Sequence, residues 1–204
     1  MSSLCHLALI ASLCACAGSR ARTRVVPPDD GRFVIRFAPL AAGPSYDVES
    51  LRDQVSHLAP DAFSITLRAD AIERFITHPA PALCVRLVLT ANGARRLRDE
   101  ASVGHAHSQR HLEDDLDGAV FVAELDGRRL FEGQVWYARG AAAFDTPAMH
   151  AVDTPAPGAL IVVPSQGMWN ALGPGGRSMI DQPALREYFR ARGVFEERRG
   201  CVTE

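Results

Sequence analysis

The sequence predicts an α+β fold, a single domain in which helices pack on one face of a mainly antiparallel sheet. Segments with the alternating pattern of strands are mixed along the chain with segments of helical periodicity. The clearest local signal is a hairpin, in which Asp126-Gly127 separates Val120–Leu125 from Arg128–Tyr137. Asp-Gly favours the type I′ turn that joins antiparallel strands. No internal repeat is found, so residues 32–204 are predicted to form one unit.

The first residues of the chain are predicted to form an export signal. Leu7–Ala17 is an apolar run that is shorter than the roughly 20 residues needed to span a bilayer, which is typical of a signal peptide. The run ends in Leu13-Cys14-Ala15-Cys16, which resembles the lipobox of bacterial lipoproteins. This resemblance implies that residues 1–15 are removed and that Cys16 is lipidated as the mature N-terminus. The alternative is a buried apolar N-terminal helix or strand.

Residues 16–31 are predicted to be this lipidated N-terminus followed by a flexible tether. They show no apolar periodicity and contain Pro27-Pro28. Their arginines either contact anionic lipid headgroups or remain solvated. The predicted location is therefore the cell envelope, on the periplasmic side, with the chain held to a membrane by its lipid anchor.

The first part of the domain is predicted to contain two strands and two helices. Arg32–Phe37 is rich in residues that favour strands, and Phe63–Leu67 alternates apolar with polar positions. Between these strands, apolar residues at helical spacing predict an amphipathic helix over residues 48–58. Asp70–Thr77 is predicted to be a short helix that ends before Pro79, because the residue that precedes proline disfavours the helical region.

The middle of the chain contains the most apolar predicted strand, Leu83–Leu89. Thr90 is the predicted N-cap of the helix that follows, which extends to about Glu100. In the second strand of the hairpin, Gly133 predicts a β-bulge.

The last part of the chain is predicted to contain one short buried strand, Leu160–Val163, and one closing helix, Asp181–Arg192. Between them, the glycine-rich segment Gly167–Arg177 is predicted to be a loop. The closing helix has Pro183 in its first turn and Gly193 as its C-cap.

The basic residues of the chain are all arginine, 22 in number, so lysine is absent. This composition excludes a P-loop lysine, a Schiff-base lysine and a Ser-x-x-Lys nucleophile pair. Without its first 24 residues the chain keeps 19 arginines against 24 acidic residues, a net charge of −5. Nucleic-acid binding requires a basic face, so nucleic acid is not an expected partner.

Two cysteines, Cys84 and Cys201, remain after the predicted processing at Cys16. A pair of thiols in an oxidising compartment favours a disulfide, which would hold the C-terminus to the domain. The alternative is that both cysteines are free and that Cys84 is buried in its strand.

Two segments of the domain resemble the periplasmic head region of SecD, the accessory subunit of the protein-export translocase. They are residues 85–97 (VRLVLTANGARRL) and residues 120–130 (VFVAELDGRRL). The resemblance implies a SecD-head-like core at about residues 83–163, and a surface that contacts other polypeptides. It does not imply a role in translocation, because the transmembrane bundle of SecD has no counterpart here.

Three histidines, His105, His107 and His111, precede a run of acidic residues ahead of the hairpin. Imidazoles and a carboxylate together would complete the ligand shell of zinc, copper or nickel. The alternative is a solvated loop, because a flexible loop holds metal ligands poorly.

Ser165 follows the predicted strand Leu160–Val163, at a position where a hydrolase nucleophile would sit. The alternative for Ser165 is an ordinary turn.

These features together predict a non-enzymatic, envelope-anchored lipoprotein whose domain contacts other envelope proteins and requires no cofactor. A periplasmic metal-binding protein, with zinc held by the three histidines, is the second hypothesis. A hydrolase built on Ser165 is the third.

Overall fold

The computed structural model describes residues 25–38, 48–78, 84–101, 116, 118–135, 148–152, 159–163, 180 and 182–198. Within these residues the chain forms nine strands and three α-helices. The strands are β1 (Phe33–Ala38), β2 (Ile65–Arg68), β3 (Ile72–His78), β4 (Cys84–Leu89), β5 (Val120–Leu125), β6 (Arg128–Val135), β7 (Ala148–Val152), β8 (Ala159–Val163) and β9 (Phe195–Glu197). The helices are α1 (Val48–His57), α2 (Ala91–Ala101) and α3 (Pro183–Ala191).

All nine strands belong to one sheet, in the order β2-β1-β5-β6-β7-β8-β4-β3-β9. The strand pairs are antiparallel except β6 with β7 and β3 with β9. The predicted α+β class and the mainly antiparallel sheet are therefore confirmed.

The sheet is curled, because β2 at one edge and β3, next to the other edge, are joined by a very short connection. Seven strand pairings separate β2 from β3 in the sheet, yet only the 3₁₀ turn Ala69–Ala71 links them in the chain. The Phe189 ring of α3 lies between the two ends of the sheet. Its ring centroid is 4.9 Å from that of Phe33 in β1 and 4.3 Å from that of Phe75 in β3. The concave face of the curled sheet thus contains the main core.

Helices lie on both faces of the sheet. Helices α2 and α3 contribute Leu97 and Phe189 to the main core, so the predicted packing of helices on one face holds for these two helices and not for α1. Helix α1 lies on the opposite face, where Leu51 and Val55 pack against β5. Strand β5 is apolar on both faces, which is typical of a strand that is covered on each side. The position of α1 on the second face follows from this unbroken apolar run.

The predicted hairpin is confirmed, with one difference in its second strand. Asp126 and Gly127 both have positive φ, 54° and 72°, as a type I′ turn requires. The predicted bulge at Gly133 is wrong, because Gly133 pairs regularly with Phe121. The register instead shifts opposite Ala123 and Glu124, close to the turn. A glycine in a strand also permits close packing, and Gly133 is buried beside its pairing partner Phe121.

The predicted short helix over Asp70–Thr77 is wrong, because this segment forms most of β3. Its residues pair with β4 along an antiparallel ladder from Ile72 to His78. The segment is too short to form a stable helix by itself, whereas the ladder satisfies its backbone groups. Strands β7 and β9 were not predicted. Strand β9 depends on parallel pairing with the distant β3, and β7 lies between β8, its antiparallel partner, and β6, its parallel partner.

Both predicted helix ends at α2 and α3 are confirmed. The Thr90 hydroxyl accepts a hydrogen bond from the Gly93 N–H at 2.9 Å, so Thr90 caps α2. At the end of α3, Gly193 has φ 70°. The N–H of Gly193 donates to the Arg190 carbonyl, and the N–H of Val194 donates to the Phe189 carbonyl. These two bonds form a Schellman motif, which satisfies the last carbonyls of the helix.

Helix α2 packs against the 3₁₀ turn through Gly93. A Cβ atom built on Gly93 would lie 2.6 Å from the Ala71 Cβ and 2.7 Å from the Ala71 carbonyl oxygen. Alanine favours a helix by about 1 kcal/mol over glycine. The clash outweighs this preference, so we expect Gly93→Ala to lower the free energy of unfolding by about 1–3 kcal/mol.

Urea denaturation of Gly93→Ala and of Asn92→Ala, an exposed neighbour in the same helix, tests this expectation. Asn92→Ala should leave stability nearly unchanged. Equal stability of Gly93→Ala and the parent protein would contradict the close contact.

Candidate functional site

Cys84 is the predicted site residue that the described part of the chain contains. It is the first residue of β4, it is 2% exposed, and it is disulfide-bonded. The other predicted site residues lie outside the described residues: Cys16, His105, His107, His111, Ser165 and Cys201.

The C-terminal chain passes close to Cys84. Strand β9 runs parallel to β3 and pairs Glu197 with Thr77. The N–H of Arg198 then donates to the Thr77 carbonyl at 3.0 Å. On the opposite side of β3, His78 is paired with Cys84. Arg198 therefore lies at the end of β3 where β4 begins.

No metal site is found in the part of the chain that the structure describes, where no three His, Cys, Asp or Glu side chains are grouped to hold an ion. Its helices are also not long and apolar enough for any of them to cross a membrane.

Helix α3 holds the segment that enters the domain from the N-terminus. The Tyr188 hydroxyl donates to the Asp30 carboxylate at 2.7 Å, and Arg192 pairs with Asp30 at 3.2 Å. Arg192 also donates to the carbonyls of Pro27 and Pro28, at 2.9 and 2.8 Å. Contacts with the domain thus begin at Pro27, within the segment predicted to be a tether.

These contacts shift the ionisation of two side chains. Burial acts to raise the pKa of Asp30, but the hydrogen bonds from Tyr188 and the Arg32 backbone and the charge of Arg192 outweigh it, so the pKa is lowered. Burial, followed by the hydrogen bond to Asp30, raises the pKa of Tyr188. Both shifts keep Asp30 charged and Tyr188 neutral near pH 7, which preserves the contact.

A groove lies beside α1, on the face of the sheet opposite to the main core. We call it the α1 groove. It is lined by Arg36, Val55, Ser56, Leu58, Pro60, Phe63, Val122, Glu124 and Arg129. Its cavity has a volume of about 220 Å³. The floor is formed by β1, β5 and β6, and one wall by α1 and the turn that follows it.

The apolar part of the groove is the margin of the second core. Leu58 and Phe63 are only partly buried against that core, so their apolar surfaces remain available at the groove. The sequence does not indicate the α1 groove, because Leu58 and Phe63 match the periodicity of ordinary core positions.

The polar end of the groove has a net positive charge. Arg36 pairs with Glu124 at 3.3 Å, and these charges offset each other. Arg129 lines the same cavity, and it has no hydrogen-bond or ion-pair partner among the described residues. The groove therefore combines apolar walls with one guanidinium group that is available to an anion.

The contact between α1 and the sheet also contains buried polar groups. Glu132 of β6 has a side chain only 5% exposed, and it pairs with Arg52 of α1 at 2.7 Å. Gln134 is 2% exposed, and its Nε2 atom and the Oε1 atom of Gln54 lack hydrogen-bond partners in the described structure. Each such group costs about 1–3 kcal/mol, so α1 is held less firmly than a helix on an apolar face.

The chain matches none of the family models, curated proteins or solved structures with which it was compared.

Proposed function

We propose that the protein is a non-enzymatic, envelope-anchored lipoprotein, held to a membrane through Cys16 on the periplasmic side. Its domain binds a segment of another envelope protein in the α1 groove. The observation that carries this proposal is the pairing of half-buried apolar walls, Leu58 and Phe63, with Arg129, which has no partner among the described residues. The resemblance of residues 83–163 to the SecD head region favours the same class of partner.

The chemistry of the groove specifies its occupant. The volume suits one apolar side chain, which would contact Leu58 and Phe63 and remove their exposed surface from water. The guanidinium of Arg129 suits a carboxylate adjacent to that side chain. The expected ligand is therefore a polypeptide segment in which a large apolar residue is followed or preceded by Asp or Glu.

The location outside the cytoplasm is supported by the disulfide at Cys84. Disulfides persist in oxidising compartments and are rare in the cytosol, where thiols are kept reduced. The contacts of Arg192 with Pro27 and Pro28 further indicate that the tether leaves the domain beside α3.

The α1 groove is tested by crosslinking in cells. A photoreactive phenylalanine analogue replaces Phe63, and the same analogue at the exposed Asn92 of α2 is the control. We expect a discrete crosslinked protein from position 63 and none from position 92. A second substitution, Arg129→Glu, made in the variant with the analogue at position 63, should weaken binding of the partner about tenfold, or by about 1.4 kcal/mol. It places a negative charge beside the carboxylate of the ligand.

Two outcomes would contradict the proposal. Equal crosslinking from positions 63 and 92 would show that the groove is not a contact site. Recovery of the protein in the soluble fraction with Cys16 intact would contradict the lipid anchor, whereas release only after Cys16→Ser would support it.

A further inference from the structure

A second polar site lies on the opposite side of β3 and β4 from the main core. The ladder pairs Arg74 with Val88, Ile76 with Arg86, and His78 with Cys84, so these six side chains share one face. The alternate residues Phe75, Val85 and Leu87 belong to the main core. We call the shared face of the six residues the basic face.

The arginines of the basic face have unsatisfied donor atoms, and the acidic residue that β9 places beside Ile76 on this face, Glu196, pairs with Arg198 instead. Arg74 and Arg86 are half-buried and are diagonal neighbours across the ladder, at a typical separation of roughly 7–8 Å. The Nε atom of each is buried without a hydrogen-bond partner. Neither guanidinium pairs with a carboxylate anywhere in the described ranges. Two like charges are therefore held close together with unsatisfied donors, which is unfavourable unless an anion binds between them.

His78 gives an independent indication of a ligand. It is 6% exposed, and neither of its ring nitrogens makes a well-formed hydrogen bond in the described residues, although the Arg198 backbone acts on the ring and partly opposes the lowering of its pKa by burial. Its ring is a diagonal neighbour of Arg86 on the same face. A buried imidazole without a well-formed hydrogen bond, beside two guanidinium groups that pair with no carboxylate in the described part of the chain, provides a further donor for an oxyanion.

We propose that the basic face binds a phosphoryl group through Arg74, Arg86 and His78. The guanidinium fork matches the geometry of phosphate oxygens, and two arginines match the charge of a phosphate dianion. The group is either free inorganic phosphate or the headgroup of a membrane lipid, which the lipid anchor would place nearby. This site is separate from the α1 groove and does not depend on the function proposed for that groove.

The surroundings of His78 determine how binding depends on pH. Burial lowers the pKa of His78, and the charges of Arg86 and Arg198 lower it further, while the Arg198 backbone partly opposes them. Glu196 of β9 pairs with Arg198 at 2.8 Å, which reduces the effect of that arginine. His78 is therefore neutral in the free protein at pH 7. An anion would stabilise the imidazolium, so anion affinity should increase as the pH falls through the range in which His78 gains its proton.

Binding is measured by calorimetric titration of the processed, disulfide-intact chain with inorganic phosphate at constant ionic strength. We expect saturable binding that Arg74→Gln or Arg86→Gln weakens at least tenfold. Arg95→Gln, which removes an exposed arginine of α2, is the matched control and should leave binding unchanged. Circular dichroism establishes that each variant is folded. If either basic-face variant fails to fold, a rise in the melting temperature of the parent protein with phosphate, but not with chloride, replaces that comparison.

Sulfate tests the role of His78, because the charge of sulfate does not change between pH 5 and pH 8. The parent protein should bind sulfate more tightly at the lower pH, and His78→Gln should remove this dependence.

Vesicles of phosphatidylcholine, with and without phosphatidic acid, distinguish the two sources of the phosphoryl group. Binding to phosphatidic acid that phosphate displaces indicates a lipid headgroup, and binding of phosphate alone indicates the free ion.

Three outcomes would overturn the proposal. They are no saturable phosphate binding by the parent protein, an equal loss of binding in Arg95→Gln, and unchanged binding in folded Arg74→Gln and Arg86→Gln.

Discussion

Replacing Cys84 with serine is expected to lower the free energy of unfolding by about 4–5 kcal/mol. Cys84 is disulfide-bonded, and Arg198, which follows β9, hydrogen-bonds to Thr77 beside the His78–Cys84 pair. We therefore propose that Cys201 is its partner. This bridge closes a long loop, and such loops limit the freedom of the unfolded chain most. Urea denaturation of the oxidised protein, with and without reductant, measures the effect.

The partner of Cys84 is identified by comparing single and double variants. Cys201→Ser should cause the same loss of stability as Cys84→Ser, and the double variant should lose no more. Reductant should destabilise the parent protein and leave all three variants unchanged. A Cys201→Ser protein in which Cys84 still resists thiol reagents after unfolding in urea would refute this pairing.

Replacing Phe189 with alanine is expected to lower the free energy of unfolding by about 3–5 kcal/mol. The Phe189 ring is fully buried, and it contacts Phe33 and Phe75, which lie near opposite ends of the curled sheet. Its loss would leave a cavity between strands that are held together there mainly by aromatic packing. The effect should appear as a lower midpoint in thermal and urea denaturation.

Two variants separate the role of the ring from that of helix α3. Glu187→Ala changes an exposed residue of the same helix and should alter stability by no more than about 0.5 kcal/mol. Phe189→Leu retains much of the buried volume and should lose less than Phe189→Ala. Equal stability of Phe189→Ala and Glu187→Ala would contradict the contact between the two ends of the sheet.

Features that depend on a few consecutive residues could be predicted from the sequence. The turn at Asp126-Gly127 requires positive φ at both residues, and this pair of residue types favours it. The N-cap Thr90 and the C-cap Gly193 were predicted for similar reasons, since each satisfies backbone groups within one turn of its own helix. A disulfide at Cys84 was expected from the number of cysteines that remain after processing.

The candidate sites could not be predicted in the same way. Leu58 and Phe63 match core periodicity, and only the position of α1 leaves their surfaces at a groove. Arg74 and Arg86 come from strands whose pairing was not predicted, because the segment that contains Arg74 was assigned to a helix. Gln134 alternates with apolar neighbours as a solvent-facing residue would, yet α1 covers that face of β6.

The sequence by itself determined the class of the fold, the hairpin and the ends of two helices, because these features depend on interactions between residues that are close in the chain. The tertiary structure alone decided that β3 is a strand, that β7 and β9 join the sheet, and that the sheet curls until Phe189 contacts both of its ends. Strand propensity is weak and depends on the neighbouring strands. Pairing between distant segments, and the burial of charged side chains that follows from it, is therefore determined by contacts that no short stretch of sequence contains.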